Sequence, residues 1–592
     1  MTTNDKILRI RELMHIENID AFIIPSGDPH MSEYFSPHWK TRQFVSGFTG
    51  SVGTLVITKS MSGLWVDGRY YVQGEKELEG SETILFRASE PECPSFSKYL
   101  SENLNDNSTI AFNGKLFSLS SVKSMEKDFK LNNFTLVNTF DFANDIWKDR
   151  PEEIYTNVFY LEEKFSGESA KNKIETLRNK ISNLNCDSLV LGKLDNISWL
   201  FNIRSNDIPC NPVVISYAFI SKDKAILFTE SSRINEDVKK TLLNNGIEIQ
   251  NYNEVFNFVS TLNNLNILCD ENEINYSLFK KIENNKEITF NLTSNPVALM
   301  KACKNSIEIE NNYKAYLADG CANAEFYGWL FEALDNNEVI TEFDTVKKIQ
   351  HFRSIQENYF EESFNAIMAY GENAAMMHYS PKENNSSLLK KERLFLNDSG
   401  GQYFTGTTDT TRTFALGTPT SQEKHDFTLA LKGVIALSSV IFKDGSTGSD
   451  LDILCRQFLW NKGMDYRCGT GHGIGFMLNV HETPPNFRER NIKFKPGMLI
   501  TIEPGVYTEG SHGIRTENTV VVMPHLTTEY GNFFKFETFT LVPIDIDCLD
   551  MTLLTSDEIN WINSYHQSVY TKVSPLISNR AKEWLSKKTK SI

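Results

Sequence analysis

Short apolar runs broken by polar turns dominate the first 300 residues. Residues 20–35 (DAFIIPSGDPHMSEYF) begin as an apolar strand and pass into a polar turn. Residues 53–67 (GTLVITKSMSGLWVD) read as strand, turn and strand. The plan returns at 187–204 (DSLVLGKLDNISWLFNIR) and 217–230 (YAFISKDKAILFTE), so this half looks like two copies of one unit. Strands alternating with amphipathic helical stretches read as α/β. The polar WKDRPEE and LTSNPVALM segments place expected boundaries near 150 and 296, giving domains 1–150, 151–296 and 297–592.

The remaining residues show a second duplication, of helix, helix and hairpin. Asn305 with Glu308 predicts a capped helix carrying Tyr313, Leu317, Cys321, Ala324, Tyr327, Phe331 and Leu334 on one face. A second helical stretch follows at about 342–355, and residues 393–416 (RLFLNDSGGQYFTGTTDTTRTFAL) read as two strands around a Gly/Thr turn. The order recurs: Thr420 with Glu423 opens a helix, Ser449 with Asp452 a shorter one ending at Gly463. Residues 498–522 (MLITIEPGVYTEGSHGIRTENTVVV) are again two strands around a Gly-rich turn. Thr555 with Glu558 starts a closing helical tail.

Each of these hairpins offers two acids, Asp398 and Asp409 in the first, Glu503 and Glu517 in the second. Facing strands bring such residues side by side, and their apolar neighbours imply burial. Four buried carboxylates do not all stay ionised without compensation, and metal cations supply it. Taken singly, Asp398 is an ordinary turn residue and Glu503 an ordinary strand-end charge; the paired arrangement is what points to metal. Between the hairpins lies GTGHGIG, which contains no P-loop and fails the dinucleotide fingerprint in every register. Its glycines fit a backbone that must approach a cluster closely, with His472 as the imidazole ligand. Four carboxylates and one imidazole make a hard site for two divalent ions bridged by water or hydroxide, Mn²⁺ favoured.

Charge narrows the partners. Sixty basic against 76 acidic residues leave −16, which disfavours nucleic acid and anionic membranes. The first residues lack the apolar core of a signal peptide, and no apolar run is long enough to span a bilayer. Nine scattered cysteines without a CxxC fit a reducing cytosol better than a disulfide framework.

NDSG, TTDTTRT, GTGHG, NVHE, IEPG and GIRTEN occur in this order. In this the chain resembles the dinuclear metallopeptidases of the creatinase or pita-bread fold, and among them the long, three-domain, cytosolic Xaa-Pro aminopeptidases. SGDPHMSEYFSPHWKTRQFVSGFTGSVGT, WVDGRYYVQ and SWLFNIRSNDIPCNPVVISYA extend the likeness to the first two domains, and MHYSP to the substrate pocket. The resemblance implies two creatinase-N-like α/β domains before a pita-bread catalytic domain. It implies Asp398, Asp409, His472, Glu503 and Glu517 as ligands of two divalent ions, with Glu503 also accepting a proton from the attacking water. His378 and His481 would act on the substrate carbonyl, and Arg515 would support the carboxylates. The implied substrates are peptides with proline second, hydrolysed by a metal-bridged hydroxide in a cytoplasmic homodimer. One departure is Cys468, four residues before His472, where the family commonly has a histidine; its other reading is a small buried residue. Cys468 has no evident partner base and does not read as a nucleophile, and His512 carries no assigned role. Arg69 reads as a structural ion-pair residue or a contact at the active-site rim. Three alternatives stand beside this reading: a prolidase or methionine aminopeptidase of the same fold, a metal-free binding module, and a nucleotide-binding protein. The long N-terminal region disfavours the methionine enzyme, and the five ligand types disfavour the binding module.

Overall fold

Two six-stranded sheets with one connection pattern fill the first half of the chain. In the first, Ala21–Pro25 pairs antiparallel with Thr54–Thr58, which pairs antiparallel with Ser62–Val66, which pairs parallel with the edge strand Ile84–Arg87. On its other side Ala21–Pro25 runs parallel to Thr109–Phe112, and that strand parallel to Thr135–Val137. The second sheet repeats every step. Ser188–Leu191 takes the place of Ala21–Pro25, next to Tyr217–Ser221, Ala225–Phe228 and Glu248–Gln250 on one side and Asn266–Cys269 and Thr289–Leu292 on the other. The apolar runs form these strands because both faces are covered; all four positions of Ser188–Leu191 and of Ala225–Phe228 are buried. The sheets share a core in which Ile23, Val56 and Trp65 meet Val190, Tyr217 and Phe228. His30 bridges them, one ring nitrogen 2.7 Å from the Gly192 carbonyl and the other 2.8 Å from the Tyr252 hydroxyl. Arg69 pairs with Asp67 at 2.8 Å, the structural ion pair of its two readings.

This computed structural model describes every residue, Met1–Ile592. The chain divides into one unit made of Met1–Tyr160, Glu168–Pro209 and Val213–Val297, which holds both sheets, and a second made of Leu161–Gly167, Cys210–Pro212 and Ala298–Ile592. In the second unit the helix Ser306–Asp335 starts at a capping box of Asn305 and Glu308, and the expected stripe is buried at Cys321, Ala324, Tyr327 and Leu334. Helices Glu342–Ser354 and Ser421–Ser439 and the tail helix Ser556–Val573 also begin at capping boxes. The expected start at Ser449 is corrected. The helix is Gly448–Trp460, and its box joins Thr447 to Asp450, whose carboxylate accepts the Thr447 N–H at 2.7 Å. Asp452 is drawn away from a capping role by Arg456, whose Nε donates to it at 2.7 Å.

Each hairpin is more broken than two strands and a turn. Leu394–Ser399 pairs with Thr410–Ala415, but the chain between makes its own short strands, Gly401–Tyr403 and Gly406–Thr407. Likewise Leu499–Ile502 pairs with Asn518–Thr528, and between them Gly505–Thr508 and His512–Arg515 form a separate two-stranded ribbon. Pro504, which has no N–H to give a ladder, marks the exit. None of the nine cysteines is in a disulfide, and no helix is long and apolar enough to cross a membrane.

The tail helix Ser556–Val573 is tied to the hairpins by buried Arg412, which donates to Asn518 Oδ1 and the Tyr565 hydroxyl, both at 2.7 Å. Beside it, His566 Nε2 accepts the Ile544 N–H at 3.1 Å. Burial, then the Arg412 charge, pushes the His566 pKa down to about 4 from 6.5. As pH falls below 6.5 the unfolded chain takes up this proton first. The stability contributed by the neutral ring is therefore complete above pH 6.5 and is lost on the way down to pH 4, by up to about 3 kcal/mol. His566→Gln keeps an acceptor that does not titrate. Thermal midpoints at pH 7 and pH 4.5 are expected to drop less in the variant than in the parent.

Candidate metal centre

The two broken hairpins and the Gly-rich segment converge on one cluster of acids. Asp398 lies opposite Thr411 in the first ladder, and Asp409 stands one residue before that ladder's Ser399–Thr410 pair. The second ladder ends at the Ile502–Asn518 pair, so Glu503 and Glu517 are the next residues on each side. His472 enters between them on a short strand whose neighbour Gly473 pairs with Ile500. Its glycines are sterically required: a Cβ at Gly471 would sit 1.8 Å from the Thr501 carbonyl oxygen, and one at Gly473 2.5 Å from the Glu482 carbonyl oxygen. Close packing of this strand against its neighbours, with no phosphate cradle, accounts for both.

The imidazole is oriented on three sides. Its backbone N–H donates to Thr501 Oγ1 at 3.1 Å, and Nδ1 lies 2.9 Å from the Gly473 carbonyl oxygen. A carbonyl only accepts, so Nδ1 is the nitrogen that donates there and Nε2 is the one turned towards the acids. That Nε2 lies 3.5 Å from both Asp409 Oδ2 and Glu503 Oε1. Ligand atoms of Asp409, His472 and Glu517 all fall within 4.8 Å of one another. Three carboxylate oxygens in the cluster, Asp398 Oδ1, Asp409 Oδ1 and Glu517 Oε1, are buried without a hydrogen-bond donor. Burial, followed by the charges of Asp398 and Glu503, pushes Asp409 well above the usual carboxylate range. Burial and then Asp409, Glu503 and Asp398 do the same to Glu517. Orphaned oxygens around an oriented imidazole fit divalent cations.

His481 is brought to the cluster, its ring edge-on to His472 with centroids 4.3 Å apart. His378 lies exposed in the turn after Gly371–Ala375. Cys468 is half-buried beside Leu429, Leu459 and Val506, and its carbonyl accepts from Arg488 Nη2 at 2.8 Å. Burial, then the Glu503 charge, pushes its thiol up to about 11, so it is a neutral group at ordinary pH. His512 has a structural place: its Nε2 is 3.1 Å from Asp426 Oδ2, deep in the fold.

Family models cover the chain nearly from end to end. Two creatinase/prolidase N-terminal domains match residues 6–146 and 149–308, metallopeptidase family M24 matches 316–524, and the C-terminal region of the M24 peptidases matches 532–592. The chain is 35% identical to a probable Xaa-Pro aminopeptidase P of Coprinopsis cinerea, over 100% of this chain and 98% of that protein. It is 34% identical to aminopeptidase P2 of Arabidopsis thaliana, over 100% and 89%. The solved X-prolyl aminopeptidase of Caenorhabditis elegans, described as a cytosolic enzyme with a di-nuclear active site, matches with a TM-score of 0.95 at 32% identity over the whole of both chains. The chain belongs to the aminopeptidase P family of M24 metallopeptidases.

Around this family's site the supporting groups are Arg515, which the sequence motif singles out, and Thr411, Tyr316 and Tyr507, which it does not. Arg515 forms an ion pair with Asp398, donates to the Tyr507 hydroxyl at 2.6 Å and to Thr411 Oγ1 at 3.1 Å. Thr411 Oγ1 in turn donates to Glu517 Oε2 at 2.7 Å, so one threonine joins the guanidinium to the second hairpin's acid. The Tyr316 hydroxyl, from the long helix, donates to Thr519 Oγ1 at 2.7 Å and accepts the Asp409 N–H at 3.3 Å. Thr411 is hidden in the run TTDTTRT, where spacing alone does not separate it from its neighbours; Tyr316 and Tyr507 are brought in by tertiary packing. Removing one partner of a buried pair strands the other charge. Arg515→Met is expected to lower the unfolding free energy of the metal-free protein by about 3 kcal/mol, read by denaturant titration. Titration calorimetry with Mn²⁺ should show weaker binding in the same variant, by about 10-fold or more.

Proposed function

We propose that this protein is a dinuclear metallo-aminopeptidase that removes the first residue from peptides whose second residue is proline. The observation that carries the reading is the set of three donor-less buried carboxylate oxygens, on Asp398, Asp409 and Glu517, with ligand atoms of Asp409, Glu517 and His472 within 4.8 Å of one another. Asp398, Asp409, His472, Glu503 and Glu517 are the proposed ligands of two divalent ions, Mn²⁺ being favoured by an oxygen-rich set with one imidazole. When bound, the cations supply Lewis acidity and bring the pKa of water towards neutrality.

The chain's own groups do the rest. Glu503 is the most open of the four acids, with 20% of its side chain exposed, which suits a carboxylate that takes the proton of the attacking water and returns it to the leaving nitrogen. His481 is the proposed group that steadies negative charge on the carbonyl oxygen, a role that its ring contact with His472 supports. The scissile nitrogen of proline has no N–H, so a site that grips substrate through that group fails, and a dedicated pocket is needed. The segment with His378 and Tyr379 is the proposed wall on the proline side. By the same reading residues 1–150 and 151–296 are two creatinase-N-like domains and 297–592 the catalytic pita-bread domain. The enzyme works as a cytoplasmic homodimer; the description of the Caenorhabditis elegans relative as cytosolic supports the compartment.

Protein loaded with Mn²⁺ and given an Arg-Pro-Pro tripeptide is expected to release arginine alone, followed by mass spectrometry. An Xaa-Pro dipeptide and a Met-Ala peptide are run in parallel, and Glu503→Ala is expected to lose about 1,000-fold in rate. Cleavage confined to the dipeptide would make the protein a prolidase, and failure to bind metal would end the catalytic reading. A second expectation concerns the departure at Cys468. Because the neutral thiol exchanges no proton near pH 7, Cys468→Ala should leave kcat/KM within about threefold of the parent. Cys468→His should add an ionisation to the pH–rate profile between pH 5 and 8.

A further inference from the structure

Glu342 is the first residue of the helix Glu342–Ser354 and is fully buried. The helix does not need it as a cap, because Thr341 and Asp344 form the capping box. Its carboxylate instead collects four neutral donors from outside the helix. Oε1 accepts the Tyr370 N–H at 2.7 Å and Asn373 Nδ2 at 2.9 Å; Oε2 accepts the Tyr379 hydroxyl at 2.7 Å and the Ser387 N–H at 2.8 Å. These donors span residues 370–387, the segment that carries His378. Asn373 Nδ2 also lies 3.0 Å from Ser387 Oγ and so ties the two ends of the segment to each other.

The segment is anchored to the metal centre at its base. It leaves the strand Ile367–Tyr370, which pairs with Leu394–Ser399 so that Ile367 lies opposite Asp398. The Tyr379 ring packs on Ile367, Ala369, Ala374 and Leu396. On the other side Gly513, two residues before Arg515, is pressed against it; a Cβ there would be 1.7 Å from the Ala374 carbonyl oxygen. The loop thus rests on both hairpins, and one buried charge fixes its internal shape.

We infer that Glu342 is a positioning residue for the proline side of the substrate, setting residues 370–387, and with them Tyr379 and His378, against the metal centre. This rests on the proposed function for the role of that loop, though not for the hydrogen bonds that hold it. Glu342→Gln keeps the shape and turns an NH₂ towards two of the donors. Tyr379→Phe removes one donor and leaves the charge, and it serves as the test if Glu342→Gln does not fold.

The test compares both variants with the parent for kcat and KM on an Xaa-Pro peptide and its Xaa-Ala counterpart, bound metal per chain, thermal midpoint, and hydrogen exchange over residues 371–387. Glu342→Gln is expected to lose on the order of 100-fold in kcat/KM on the proline peptide, with a smaller Pro/Ala ratio, parental metal content and faster exchange in the loop. Tyr379→Phe is expected to lose less, with its thermal midpoint near the parent's. A lower thermal midpoint with kcat/KM and the Pro/Ala ratio unchanged would reduce Glu342 to a structural residue and overturn the inference. If the parent cleaves no Xaa-Pro peptide, the proposed function fails on its own. Hydrogen exchange then decides for Glu342: faster exchange over 371–387 supports its hold on the loop, and parental exchange overturns it.

Discussion

Mutual repulsion among four carboxylates, three of them buried, is the constraint around which the second unit is arranged. Asp409 and Glu517 are each held well above the usual carboxylate range by burial and by the other acids. A fold alone gains nothing from such a cluster, since each desolvated charge subtracts from a net stability of only about 5–15 kcal/mol. The opposing positive group is Arg515, and it does more than neutralise. Through Thr411 and Tyr507 it holds the relative position of both hairpins, so the geometry of the acids and their partial compensation are one feature.

The hairpins show how the chain delivers acids to one point without paying for it in disordered backbone. In each, a regular ladder stops and a smaller strand pair takes over, and the acids stand at or beside the stop. Residues there are fixed by pairing on one side yet released from it on the other, which leaves room for a carboxylate to turn inwards. His472 needs the opposite treatment: glycines strip the backbone on both sides so that its strand lies tight against its neighbours. The Nδ1 contact with the Gly473 carbonyl then turns Nε2 towards the acids.

Much of this was legible in the chain, because the determinants are local. The boxes at Asn305, Thr420 and Thr555 needed only a residue and its third neighbour, and all three open helices. The duplicated α/β plan followed from the recurrence of strand, turn and strand. The box expected at Ser449 shows the limit. Two boxes overlap there, two residues apart, and the choice between them is made by Arg456, which binds Asp452 from one turn further along. The inserted ribbons within the hairpins were also not apparent, since a Gly-rich turn and a short strand pair have similar composition. Arg515 was expected on the strength of its motif. Thr411, Tyr316 and Glu342 were not, because each acts on residues roughly 30 to 200 positions away, and no pattern in a single sequence encodes that register.

Buried acids elsewhere in the same unit sharpen the reading of the cluster. Asp319 and Glu362 share Arg353, at 2.6 and 2.8 Å. Asp545 has Lys588 at 2.6 Å, and Glu482 lies between Lys301 and Lys304. Glu342 has no cation but four neutral donors. In each case the fold supplied a cation or a set of donors, Glu482 Oε2 having the Lys301 ammonium at 3.2 Å although it accepts no hydrogen bond. Against that background, carboxylate oxygens on Asp398, Asp409 and Glu517 that no donor reaches are not an accident of packing. A chain able to satisfy its structural acids by arginine, by lysine or by amide and hydroxyl groups has left these open to a partner that the polypeptide does not contain.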